Sequence, residues 1–309
     1  MKQKRFGVSA FIPFIGLVAV VAMLSLLTAG KLLSSNNINI IFNQSFTVML
    51  VAAGATLIYA HGGIDFSLGA VLALSQMCAA MLYRETGLAW ILIPASVIAA
   101  VVCGFITGLV TIKLKLPPFI ASLCMQFACY GVLNTILNTQ VIGVAELSMP
   151  RWEQTLPILV VAVAIMAILL SFTKIGKYNK AIGENSRAVG ASGVNVDAYR
   201  MFAYLICGVM LGIAAYYDLL RNGSLTSNTG HGLELNVIIA LVLGGMSLSG
   251  GYSASIRCAI IGSLIIVIIQ NGLILAGLTI QYIGIVQGVI FLAVVLLTYK
   301  REKSGLLPR

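Results

Sequence analysis

Apolar residues along this chain come in long runs separated by short polar gaps, without the alternation of a half-buried strand or the stripe of a surface helix. A helix needs about 20 mostly apolar residues to cross the hydrocarbon layer of a membrane. Runs of that order fall at 11–29, 38–60, 64–82, 88–112, 118–138, 156–173, 199–217, 234–249, 254–276 and 279–299, ten in all. Two are incomplete: 64–82 opens beside Asp65, and the short 234–249 holds Asn236 and a Gly-Gly pair, so both are candidates for broken or re-entrant segments. The first run is longer than a usual signal-peptide core and no clear small-x-small cleavage site follows it, so it reads as a retained helix.

The basic residues orient these runs. With the N-terminus cytoplasmic and ten crossings, the inner side receives Lys2, Lys4, Arg5, Lys113, Lys115, Lys174, Lys177, Lys180, Arg187, Arg200, Arg257, Lys300, Arg301, Lys303 and Arg309. The outer side receives Lys31, Arg84, Arg151 and Arg221. Fifteen against four is the bias expected of inward-facing loops. The expectation is an all-α integral membrane protein of about ten transmembrane helices with both termini cytoplasmic, residues 1–309 forming a single permease-like domain. Two adjacent runs that fail to cross would leave the charge sum nearly unchanged.

Composition agrees. AVILMFWYC residues make up 60% of the 309 and DEKR only 9%, against roughly 25% charged in a soluble domain. The net charge of +10 sits in short gaps without interleaved aromatics, which points to the cytoplasmic membrane face and not to nucleic acid. Cys78, Cys103, Cys124, Cys129, Cys207 and Cys258 lie in or beside apolar runs with no C-x-x-C pair, as reduced packing thiols do.

The longest polar stretch on the expected inner side is 174–200. Asn185 suits a helix N-cap, Ser186 to Ser192 span about two turns, and Gly193 suits the left-handed position that ends a helix. Gly190 weakens such a helix by roughly 1 kcal/mol relative to alanine, so outside packing is expected to hold it. Two readings stand: a solvated connector, or a docking helix whose Ala188, Gly190 and Ala191 admit a partner's groove.

Two glycine turns interrupt apolar runs. Gly62-Gly63-Ile64-Asp65-Phe66-Ser67-Leu68-Gly69 aligns with Gly244-Gly245-Met246-Ser247-Leu248-Ser249-Gly250-Gly251, matching at both first glycines, a serine and the last glycine. Membranes tolerate broken helices where protein or a water-filled cavity covers the freed backbone groups. Gly62, Gly63, Asp65, Ser67, Gly244, Gly245, Ser247 and Ser249 are therefore the candidate translocation pathway. Asp65 is read as the one carboxylate inside an apolar run. It serves either as a favourable acid at a helix N-terminus or as a contact for substrate or proton. His61 and His231 stand alone at run edges and are assigned no metal or catalysis. Asn43, Gln44, Gln126, Asn134, Asn138, Gln270, Asn271 and Gln287 lie within runs and should face the protein interior, bonding between helices or lining a polar path.

No phosphate loop of the G-x-x-x-x-G-K-[ST] type, nucleophile elbow, H-E-x-x-H or paired-carboxylate constellation occurs. Transport powered from elsewhere remains.

The GGIDFSLGAVLALS segment, the AIGENSRAVGASGVNV loop and the ALVLGGMSLSGG segment, in this order, resemble the membrane permeases of bacterial ABC importers of the ribose/galactose type over roughly 38–300. The loop pattern A-I-G-x-N-x-x-A-x-x-x-S-G-[IV]-x-V is met by Ala181, Ile182, Gly183, Asn185, Ala188, Ser192, Gly193, Val194 and Val196. Glu184, Ser186 and Val189 depart from the commoner glycine, proline and alanine, and Phe66 replaces the commoner leucine. The resemblance implies that this loop is the coupling helix, with Gly183, Asn185, Ala188, Ser192 and Gly193 seated against a cytoplasmic ATP-binding subunit that holds ATP and Mg. It further implies a second permease copy or paralogue, an extracytoplasmic substrate-binding protein, alternating access and residence in the bacterial inner membrane, with no catalytic residue, metal or cofactor in this chain. A monosaccharide is the expected cargo; nucleosides, branched-chain amino acids, a signalling sugar and, in another class, a proton-coupled carrier using Asp65 are the alternatives.

Overall fold

The structure, a computed structural model, describes residues 12–138, 140–144, 147 and 152–298. In chain order the helices are α1 (Ile12–Leu27), α2 (Ser35–Ala60), α3 (Leu68–Thr86), α4 (Leu92–Lys113), α5 (Pro118–Leu137), α6 (Trp152–Phe172), α7 (Lys174–Ala191), α8 (Val196–Asn222), α9 (Leu233–Leu243), α10 (Ile256–Leu275) and α11 (Ile280–Thr298). Two short strands, β1 (Ile142–Gly143) and β2 (Ser224–Leu225), pair antiparallel and tie the connector after α5 to the end of α8. Among the described residues six stretches are long and apolar enough to cross a membrane: Ser35–Ala60, Ala89–Lys113, Pro118–Leu137, Thr155–Phe172, Val196–Asn222 and Ile256–Leu275. Shorter apolar helices cover Pro13–Leu27, Leu233–Leu243 and Tyr282–Ala293. The protein is a multi-pass, helical membrane protein.

Each expected run contains a helix, but two runs are not continuous spans. The segment at 64–82 is helical only from Leu68, because residues 61–67 form a turn and an irregular stretch. The segment at 234–249 is helical only to Leu243. Eleven residues rise about 16 Å, half the hydrocarbon thickness. The loop at 174–200 is also more ordered than a connector with one short helix, since Lys174–Glu184 form a further helical segment ahead of Asn185. Lys2, Lys4, Arg5, Arg151, Lys300, Arg301, Lys303 and Arg309, along with both termini, lie outside the described residues.

α2 occupies the centre. Every residue from Ser45 to Ala60 is buried, as expected of a helix that is apolar all round. α4 and α8 interlock through small residues: Gly104 and Gly108 are spaced four apart on α4, as are Gly208 and Gly212 on α8. A Cβ on Gly104 would stand 2.9 Å from the Tyr204 carbonyl oxygen, and one on Gly208 would stand 2.9 Å from Val101 Cα. One on Gly212 would overlap Val97 Cα. Lipid tails are as apolar as leucine, so close backbone approach of this kind, and not water exclusion, holds membrane helices together. The same device joins α9 to α10, where a Cβ on Gly262 would overlap the Ala240 carbonyl.

Gly212→Ala and Gly262→Ala are each expected to destabilise the folded protein by about 1–3 kcal/mol, lowering the thermal midpoint measured in detergent. Gly284→Ala, with open space around the added methyl, should leave the midpoint unchanged. Equal midpoints for all three would refute the close-packing account.

Candidate functional site

Three places gather the polar chemistry. The first is the end of the bundle under α7. Asn185 breaks the helix with φ −159° and ψ 95°, and its side-chain Oδ1 accepts the Ala188 N–H at 3.0 Å, capping a second short helix that runs to Ala191. Ser192 follows as the C-cap, and Gly193 holds φ +83°. The capped helix read from the sequence is therefore present, and Arg187, Ala188, Gly190, Ala191, Ser192 and Gly193 are exposed on it.

Gly183 anchors this unit inward: a Cβ there would overlap the Ala60 carbonyl and stand 2.6 Å from the Gly251 nitrogen. Glu184, at a position where the resemblance leads one to expect glycine, accepts the Tyr252 N–H at 2.9 Å. The two glycine turns meet here. Gly250, at φ +76°, lies so close that an added Cβ would reach the carbonyls of Tyr59 and Ala60. Gly62 would bring its own Cβ to 3.4 Å from the Ser249 carbonyl. The turns pack on each other and on α7.

The second place is Asp65, 4% exposed between the turn and α3. Its Oδ1 accepts the Ser67 N–H at 2.8 Å and the Ser67 hydroxyl at 2.6 Å. The space beside it is only about 10 Å³, walled by Ile58, Ala100, Gly104, Tyr204 and Cys207. No solute fits there; the acid shapes the entry into α3.

The third lies toward the opposite end, a polar cavity of about 360 Å³ between α2, α3, α8, α9 and α10. Asp218, 6% exposed, stands at its edge. Its Oδ1 accepts Arg221 Nη2 at 2.7 Å and Thr47 Oγ1 at 3.2 Å. Oδ2 accepts Gln76 Nε2 at 2.9 Å and Asn222 Nδ2 at 3.0 Å. Across the cavity Asn236 Oδ1 accepts Gln270 Nε2 at 2.8 Å and Gln287 Nε2 at 2.9 Å, linking α9 to α10 and α11. Gln126 of α5 donates to Glu234 at 3.4 Å, and Asn37 donates to Asn271 at 2.8 Å. The amides at 126, 270, 271 and 287 thus bond between helices, and Gln44 and Gln270 also line the cavity. His231 stacks on Tyr130 with ring centroids 4.0 Å apart.

The eight expected pathway residues do not share one cavity. Gly62 and Gly63 border a separate space beside α8, and Asp65 and Ser67 face the crevice. Gly244 packs on Cys258, and Ser247 and Ser249 are exposed in the second turn. Asp65 is one of three buried carboxylates among the described residues, with Asp218 and Glu234 at 6% and 7% exposed. Run 199–217 stops one residue short of Asp218, and run 234–249 begins on Glu234 itself; both acids were visible in the sequence as charges at run ends, beside Gln76 within a run.

Residues 37–295 match the family model described as branched-chain amino acid transport system / permease component. The chain is 31% identical to the ribose import permease protein of Escherichia coli (strain K12), over 98% of this chain and 95% of that protein. It is 34% identical to the ribose import permease protein of Bacillus subtilis (strain 168), over 94% and 92%. To the galactofuranose transporter permease protein of Escherichia coli (strain K12) it is 31% identical, over 84% and 79%. No solved structure matches the chain.

Removing the Ser67 acceptor with Asp65→Ala is expected to destabilise the protein by about 1–2 kcal/mol, while Asp65→Asn, which keeps an acceptor oxygen, should retain most of the wild-type thermal midpoint. Asp218→Ala leaves Arg221 without its carboxylate and is expected to cost about 3 kcal/mol or more; a midpoint near wild type would show that the network is dispensable.

Proposed function

The chain belongs to the family of permease components described for branched-chain amino acid transport, a transport subunit and not an enzyme, and from that premise we propose that it carries a monosaccharide into a bacterial cell across the inner membrane. The observation that carries the cargo is the 360 Å³ cavity, lined by amides, hydroxyls and a charge pair whose carboxylate is already satisfied by four donors. Such a lining offers hydrogen bonds to a neutral, hydroxyl-rich solute without an unpaired charge to attract an ion. The names of the ribose and galactofuranose permeases support the same cargo class.

Energy comes from a separate cytoplasmic ATP-binding subunit holding ATP and Mg, a substrate-binding protein delivers the sugar from outside, and a second permease copy or paralogue completes the pathway. Residues 1–309 act as one permease domain in this reading. It has about ten membrane segments, those at 64–82 and 234–249 broken, with both termini cytoplasmic. Supporting that orientation, the connectors at 61–63 and 115–118 and the start of α8 border one cavity, and α7 packs beside the two glycine turns. All of these were expected inside. β1 pairs with β2 at the end expected outside. The exposed helix after Asn185 is the docking element, with Gly183, Asn185, Ala188, Ser192 and Gly193 setting its position. A methyl at Gly190 would meet only Val196 Cγ2 at 3.9 Å, so this chain's own packing does not demand the small residue there and a partner's surface does.

Motion of the docked helix reaches the membrane part through Gly183 against Ala60 and Glu184 against the 251–253 turn.

In proteoliposomes, sugar uptake is expected only with ATP, the partner ATPase and the binding protein, and Asp65→Asn should support it. Uptake by this chain alone under a pH gradient, abolished by Asp65→Asn, would instead establish a proton-coupled carrier. Binding assays on the partner binding protein should select a monosaccharide over nucleosides, branched-chain amino acids and a signalling sugar. Gly193→Pro, which forbids φ +83°, and Ala188→Trp should leave the protein inserted but abolish substrate stimulation of the ATPase; normal coupling in both would remove the docking assignment. Glu184→Ala should lower uptake per ATP hydrolysed, with partial rescue by Glu184→Gln.

A further inference from the structure

A cavity of about 440 Å³ opens where the α2–α3 turn, the α4–α5 connector and the first turn of α8 meet. Its charged lining is Lys115 and Arg200 against Asp197, and none of the three joins an ion pair among the described residues. The cavity therefore holds an excess of positive charge, and the N-terminus of α5, opening on Pro117 and Pro118 at its wall, adds the positive end of a helix dipole. His61 also lines it, 6% exposed, with Nε2 lacking a hydrogen-bond partner. Burial and the Arg200 charge push the His61 pKa down to about 3, so the ring is neutral at physiological pH.

Lys115 follows the C-cap of α4 with φ +53°. Glycine ordinarily fills that left-handed position, and a lysine there accepts backbone strain. Flanking the lining residues 115–118 in the chain, Leu114, Phe119 and Ile120 are large apolar side chains that are 64%, 46% and 45% exposed. A soluble anion has no use for these side chains. A lipid has.

We propose that this cavity seats the phosphate headgroup of an anionic phospholipid of the cytoplasmic leaflet, with Lys115 and Arg200 holding the phosphate and the acyl chains lying along Leu114, Phe119 and Ile120. Basic pockets between membrane helices on the cytoplasmic side bind such headgroups by the attraction that fills inner loops with lysine and arginine. The leaflet rests on the orientation proposed above; the site itself rests on the cavity. A lipid there would join the α2–α3 turn to the start of α8, two elements that also contact α7 or its neighbours.

The purified full chain in detergent is titrated with phosphatidylglycerol and, separately, with phosphatidylcholine, and bound lipid is counted by native mass spectrometry. Wild type should retain one phosphatidylglycerol per chain in preference to phosphatidylcholine. Lys115→Gln with Arg200→Gln should weaken phosphatidylglycerol binding about thirtyfold, and Asp197→Asn should strengthen it about fivefold. The charge-keeping pair Lys115→Arg and Arg200→Lys should bind within about threefold of wild type, which separates lost charge from lost fold. Equal retention of phosphatidylglycerol by wild type and the glutamine pair overturns the proposal, as does displacement of the lipid by equimolar glycerol phosphate, which would assign the site to a soluble phosphate ester. Uptake without ATP would overturn the importer reading while leaving the lipid counts as stated.

Discussion

The approach of α4 and α8 through interleaved glycines is the constraint on which the rest of this membrane bundle depends. Helices in lipid gain little from hiding apolar side chains, so they associate where their backbones come close enough for dense van der Waals contact. Gly104 and Gly108 on one helix and Gly208 and Gly212 on the other allow that closeness. α8, so fixed, lies against central α2 and presents Asp218 to α2 and α3 at one end and Arg200 to the basic cavity at the other. It also closes the wall behind Asp65.

Polar groups then select which arrangement of the bundle is stable. An unpartnered amide or carboxylate at membrane depth carries a large free-energy penalty, and the groups around the polar cavity answer it by bonding between helices. Asp218 draws four donors from three helices, and Asn236 collects two glutamines from two others. These links border the polar cavity from two sides, one holding α8 to α2 and α3 and the other holding α9 to α10 and α11.

The opposite end of the molecule works through backbone proximity. Gly250 against Tyr59 and Ala60, Gly183 against Ala60, and Glu184 on Tyr252 bind α7, the end of α2 and the second glycine turn into one cluster. A side chain at any of these glycines would push the elements apart. Glu184 shows how a departure from a family pattern becomes intelligible in context: a glycine there would leave the Tyr252 N–H without this acceptor.

The solvent, the helical class, the positions of the apolar runs and the capped helix after Asn185 were legible in the sequence, because each depends on composition or on contacts within a few residues. The sequence also carried the family resemblance in three ordered segments. Asp65 and the Gly-Gly pair at 244–245 marked both interrupted segments as candidates for breaks, but packing across the bundle fixed where residues 61–67 stay unwound and that α9 stops at Leu243, since a broken helix is stable only where neighbours cover its backbone. Tertiary structure alone brought Asp218, Gln76 and Thr47 together and set the two glycine turns on each other instead of along one path. Partners 142 and 171 residues apart leave no local pattern to read. Their meeting is dictated by how closely the helices between them can pack, and that is a property of the whole bundle.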